Sequence, residues 1–96
     1  MALTDPRLLL LDPADTVLVV GIPFAGRETV VIDGAAVIVD GAVGRGHKVA
    51  RRPIAVGEQV LKYGVSIGCA TRPIAPGEHV HVHNLSSDYT ATYVIA

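Results

Sequence analysis

The stretch Glu78-His79-Val80-His81-Val82-His83-Asn84 holds three of the chain's four histidines in five alternating positions. Read as a strand, it places His79, His81 and His83 on one face and Val80 and Val82 on the other. Histidines at i and i+2 are then ~7 Å apart at Cα, close enough to reach one metal ion. His79 and His83 are ~13 Å apart on a regular strand and need a bulge to share that ion. Two imidazoles side by side suit a metal or an acidic ligand, because histidine both ligates and carries protons near neutral pH. The competing reading is a solvent-facing strand edge that happens to be rich in histidine.

The fourth histidine, His47, precedes Lys48 and follows a glycine-rich run, Gly41 to Gly46. A histidine beside a lysine can bind a carboxylate or move a proton. The alternative is an ordinary surface residue of a loop. Lys62 and Tyr63 add a cation and a phenol just before Gly64 bends the chain. Aromatic residues are scarce here, so the Tyr63 ring is expected to pack. Cys69 reads as a small buried hydrophobe. No Ser/His/Asp or Cys/His nucleophile spacing occurs, and no close acidic pair suggests glycosidase chemistry.

The elements that must position these groups are strands. The chain has 96 residues, room for one domain, and 50% are hydrophobic, with 15 Val and 7 Ile against 8 Leu. That β-branched bias predicts an all-β domain, and 10 Gly and 6 Pro predict many turns. Thr16 to Val20 suits a buried strand. Glu28 to Ile32 and Ala36 to Asp40 flank Asp33-Gly34, the residue pair that a two-residue hairpin turn favours. Residues 1 to 15 read as a lead-in and turn, and Gly41 to Gly46 as a flexible connector without the Lys-Ser/Thr ending of a phosphate loop.

Residues 50 to 60 and 70 to 80 form an internal repeat, with eight of eleven positions identical at an offset of 20, among them Pro53/Pro73, Ile54/Ile74, Gly57/Gly77 and Glu58/Glu78. One supersecondary unit used twice implies pairing about a pseudo-twofold axis.

A formal net charge of −1 gives no basic footprint for nucleic acid, and 4% aromatic content gives no stacking platform. The single cysteine excludes an internal disulfide, so the chain reads as cytoplasmic. Leu8 to Leu11 is too short an apolar run for a membrane span or a signal-peptide core.

Several motifs in order carry a family resemblance. They are Pro13-Ala14-Asp15-Thr16-Val17, Gly46-His47-Lys48-Val49-Ala50, the Pro-Ile turns, Lys62-Tyr63-Gly64, Ile67-Gly68 and Gly77 through Asn84. Together, from about Asp12 to Asn84, they resemble the SAF-type domain of the altronate/galactarate dehydratase family. They also resemble its free-standing small subunits, including that of sulfolactate sulfo-lyase. The Arg51-Arg52 pair departs from the family's usual pattern.

The resemblance implies a β-clip fold spanning residues 1–96 as a single domain. It also implies a divalent-metal-dependent lyase, with iron or magnesium as the ion, that removes the proton beside a carboxylate and expels the 3-hydroxyl. A separate large subunit is implied as partner and an anionic sugar acid as substrate. On this reading His47 and Lys48 are catalytic. Lys62, Tyr63 and Asn84 join them in binding substrate, and His81 and His83 hold metal. The alternatives are sulfite elimination, a non-catalytic module that binds sugar acid or metal, and a homo-oligomer paired through the histidine strand.

Overall fold

The computed structural model describes residues 3–87. The strands are β1 (Leu8–Leu9), β2 (Val17–Val20), β3 (Glu28–Ile32), β4 (Ala35–Val39), β5 (Lys48–Ala50), β6 (Gln59–Lys62), β7 (Val65–Ala70), β8 (His79–Val80) and β9 (Leu85–Ser87). No helix occurs among the described residues, so none there is long and apolar enough to cross a membrane. The all-β expectation holds.

Three antiparallel sheets form, in the orders β1-β2-β5-β8, β3-β4 and β6-β7-β9. Both faces of the first sheet are covered, which explains the unbroken apolar run of β2. Leu18, Val20 and Val49 enter one core with Phe24, Val30, Ile32, Val39 and Val43. Val17 and Ala50, on the opposite face, enter a second core with Ile54, Val60, Ile74 and Val80. The leucine run, expected as a lead-in, contributes a strand, because Leu8 pairs with Val20 and buries its side chain.

The Asp33-Gly34 hairpin forms as expected, with Ile32 opposite Ala35 and positive φ of 49° and 82° at the two turn residues. The repeat forms a symmetric pair. Ile54 and Ile74 bond each other's backbone at 2.9 Å in both directions, and both side chains are buried. In each copy a glutamate Oε1, from Glu58 or Glu78, accepts the N–H of Ala55 or Ala75 at 3.0 Å. Gly57 donates to the Ala70 carbonyl and Gly77 to the Ala50 carbonyl, both at 2.8 Å.

The first half of the chain repeats the same device. Phe24 and Val43 form the equivalent mutual bridge, Gly46 donates to the Val20 carbonyl at 2.8 Å, and Val20 donates to that of His47 at 2.8 Å. The glycine-rich run is therefore an ordered turn rather than a loose connector. Pro23-Phe24-Ala25, matching Pro53-Ile54-Ala55 and Pro73-Ile74-Ala75, was the signal for it in the sequence.

Arg7 ties the N-terminal segment to β3. It hydrogen-bonds Asp5 at 2.8 Å and Glu28 at 2.6 Å, with its guanidinium 4.2 Å above the Phe24 ring. Hydrogen bonds from Arg7 hold both carboxyls below their usual range. Their contribution to stability is then complete above the ordinary carboxyl pKa near 4 and is lost as pH falls through the lower folded values. Melting temperature is expected to fall with acidification below about pH 4, and Arg7→Met to flatten that decline. Identical melting-temperature profiles for the two proteins would exclude this origin.

Candidate metal and anion site

The histidine run departs from the strand expectation after Val80. Strand β8 pairs with β5 at Lys48↔Val80 and Val49↔His79, and β5 begins at Lys48, which leaves His81 no ladder partner. Residues 81–84 turn instead. The Asn84 N–H donates to the His81 carbonyl at 3.0 Å, and the His81 N–H donates to Asn84 Oδ1 at 2.9 Å. Val82, expected on the apolar face with Val80, is 80% exposed.

The turn folds the histidines together. His79 and His81 rings stack at 5.5 Å with planes 7° apart, and the His83 ring comes within 5.9 Å of His79. Pairing of β5 with β8 brings in His47, whose Nδ1 is 3.0 Å from His79 Nε2. Which of the two nitrogens donates depends on the tautomers. One ligand nitrogen from each of His47, His79 and His81 lies within 4.8 Å of the others. The structure thus groups His81 with His47 and His79, and places His83 at the margin. Burial, reinforced by the His47, His81 and His83 imidazoles and by Lys48, holds His79 below the usual histidine range.

This donor set fits a first-row divalent ion, because neutral imidazole suits iron and zinc while magnesium takes oxygen ligands.

Beside the cluster lies a cavity of about 340 Å³ lined by Lys48, Lys62, Ile67, His81, Leu85 and Ser87. His81 belongs to both the cluster and the cavity wall. Burial, then repulsion from Lys62, pushes the half-buried Lys48 amine below the usual lysine range. Two amines on an apolar floor suit an anion, since charge-assisted bonds to carboxylates are the strong ones.

Two expected substrate-binding residues take other places. Asn84 is fully buried, and its Nδ2 donates to the His79 carbonyl at 2.9 Å and to Glu78 Oε2 at 3.4 Å. With Oδ1 taken by His81, its polar atoms are spent on shaping the histidine turn. Tyr63, expected to pack, is 65% exposed at φ 57° in the β6–β7 turn and does not line the cavity.

Asp15, named in the sequence only as part of a family motif, sets that turn. Its buried carboxylate accepts the Tyr63 N–H at 2.9 Å and the Gly64 N–H at 2.7 Å, fixing the end of the strand that carries Lys62. Arg51, which departs from the family's pattern, also has a structural role: it bonds Asp33 at 2.8 Å and the Pro13 carbonyl at 2.9 Å. Cys69, expected to be buried, is only partly so.

These features define an all-β domain that gathers an imidazole cluster beside a lysine-lined cavity. Residues 6–88 match the family described as altronate/galactarate dehydratase SAF domain, and the chain belongs to that family. It is 44% identical over 70 residues to an altronate dehydratase of Escherichia coli K12, covering 73% of this chain and 14% of that protein. It is also 49% identical over 49 residues to the (2R)-sulfolactate sulfo-lyase subunit alpha of Chromohalobacter salexigens, covering 51% of this chain and 52% of that subunit. A Bacillus subtilis altronate dehydratase is 40% identical over 55 residues, 57% of this chain and 11% of that protein. The matched region is therefore a small part of the altronate dehydratases and about half of the sulfo-lyase subunit.

Proposed function

We propose that this chain is the small subunit of a metal-dependent sugar-acid dehydratase, an altronate-type hydro-lyase that works in the cytoplasm with a separate large subunit. The observation that carries this reading is the lysine-lined cavity joined to the imidazole cluster through His81. The small-subunit form is supported by the 49% identity to the sulfo-lyase subunit alpha over 49 residues, about half of that subunit.

Lys62 anchors the carboxylate. Lys48 removes the neighbouring proton, since its depressed pKa raises the fraction of neutral amine able to accept one. The electron pair of that C–H bond forms the C2–C3 double bond, and the 3-hydroxyl leaves as water after gaining a proton. The resulting enol tautomerises to the 2-keto-3-deoxy acid. His47, bonded to His79, serves in the cluster that holds the ion rather than as a base. A divalent ion bound there supplies Lewis-acid stabilisation of the developing enolate charge.

The same cavity accommodates a second reading, sulfite elimination from a sulfonated hydroxy acid, favoured by the 49% identity to the sulfo-lyase subunit.

The test is purification of the chain with its native partner, followed by assays with altronate and with sulfolactate. A keto acid from altronate is expected, and sulfite from sulfolactate would select the second reading. Turnover by the isolated chain would overturn the subunit role. A complex inert toward both acids would reduce the chain to a binding module. In the active complex, Lys62→Met is expected to raise KM about tenfold with kcat little changed, and Lys48→Met to lower kcat about a hundredfold. Equal effects of both variants on KM alone would remove the proton-accepting role from Lys48.

A further inference from the structure

We infer that His47, His79 and His81 form a three-imidazole centre with which this chain alone, without the large subunit, binds one first-row divalent ion in preference to magnesium. Ion binding needs no catalytic role for the chain, so this inference stands apart from the lyase reading.

Three observations carry it. The ligand nitrogens come from the residue just ahead of β5, from β8 and from the turn that follows it, and they lie within 4.8 Å of one another. Nitrogens sharing a tetrahedral ion at bonds of 2.0–2.1 Å are about 3.4 Å apart, so the widest pair has to close by little more than ~1 Å. His47 and His81 are exposed, so rotation of their rings can supply that movement.

The second observation is the His47–His79 contact at 3.0 Å, in which two ring nitrogens share a single hydrogen. An ion displacing that hydrogen would meet two lone pairs already facing one point.

The third is the turn itself. The Asn84 side chain holds the backbone of both His79 and His81, so two of the three ligands are set by one buried group. Supporting bonds of this kind fix a ligand's direction and raise affinity. The cluster has no carboxylate among its three ligands, which disfavours magnesium and leaves the choice to ions that accept imidazole. His81 also lines the lysine cavity, so the cluster and an anion held there would share that residue.

The test is titration of the purified 96-residue chain with Zn²⁺ by calorimetry, and with Co²⁺ by visible absorption. One ion per chain is expected, with cobalt bands of low coordination number and no competition from millimolar Mg²⁺. His47→Ala, His79→Ala and His81→Ala should each weaken binding about tenfold or more, because even loss of a group supporting a ligand costs that much. His83→Ala should change affinity by less than about threefold. Thermal melts establish that each variant folds, and a glutamine variant replaces any alanine variant that does not. Absence of one-to-one binding overturns the inference, and so does binding lost only with His83→Ala. Zinc bound by a chain whose complex lacks lyase activity would support the centre while rejecting the proposed function.

Discussion

Gly68→Ala is expected to destabilise the fold by about 3 kcal/mol and to open the wall of the lysine cavity. Gly68 lies in the middle strand of its sheet, opposite Val60 of β6 and Ser87 of β9. A Cβ there would overlap the Ser86 carbonyl oxygen, with the carbonyl carbon 2.9 Å away and Leu85 Cδ1 3.0 Å away. The obstructing atoms are backbone of a paired strand, which no side-chain rotation can clear. Relief requires β9 to move off β7, and β9 carries Leu85 and Ser87 into the cavity wall. Gly26→Ala is the control, since a Cβ at Gly26 meets nothing within 4 Å, and it should fall within about 0.5 kcal/mol of the parent. Urea unfolding midpoints of the three proteins decide the matter. A Gly68→Ala midpoint matching that of Gly26→Ala would show that β9 does not press on β7 at this point.

What could be read from the sequence was local chemistry. The Asp33-Gly34 turn needs positive φ at two neighbouring residues, and that demand is written in the residue types themselves. The paired Pro-Ile and Gly-Glu units were equally visible, because each makes its glutamate-to-backbone bond within four residues. The earlier copy of the device was hidden, because Phe24 and Val43 replace the isoleucines and Val43 follows an alanine where the other three follow a proline.

The histidine turn was illegible for a different reason. Alternation of His and Val satisfies a strand at every position, and what ends the strand is the place where β5 begins, a fact of pairing between segments some thirty residues apart. His47 and His79 are 32 residues apart and Asp15 and Gly64 are 49 apart, so neither contact has a local signature. The four histidines and two lysines were identified from residue type, but their grouping needed the sheet order. The same pairing explains why His83 and His47 change places relative to the expectation. The turn leaves the His83 ring against His79 and outside the group of three ligand nitrogens, while the chain just ahead of β5 brings His47 against His79.

Asn84→Ala is expected to cost about 3 kcal/mol and to weaken metal binding by the isolated chain about tenfold or more. The side chain is fully buried and serves three partners: the His81 N–H, the His79 carbonyl and Glu78. Truncation leaves a backbone donor and a backbone acceptor without these partners, each worth about 1–3 kcal/mol where water cannot replace it, and adds a small cavity. His81 is exposed, so water recovers part of the loss on that side and keeps the total near the lower end of the sum. The functional loss follows from the same bonds. They set the angle between residues 79 and 81, and without them nothing in the His-Val alternation prevents the segment from extending. Asn84→Asp separates the two contributions. It has the same shape and keeps the acceptor for His81, but a carboxylate cannot donate to the His79 carbonyl and stands beside the Glu78 carboxylate. It should therefore be destabilised at neutral pH despite its unchanged volume, with metal affinity reduced as in the alanine variant. Urea unfolding and zinc calorimetry on both variants check this. Parental zinc affinity in a folded Asn84→Ala chain would show that the histidines hold their arrangement without the turn, and that Asn84 matters for stability alone.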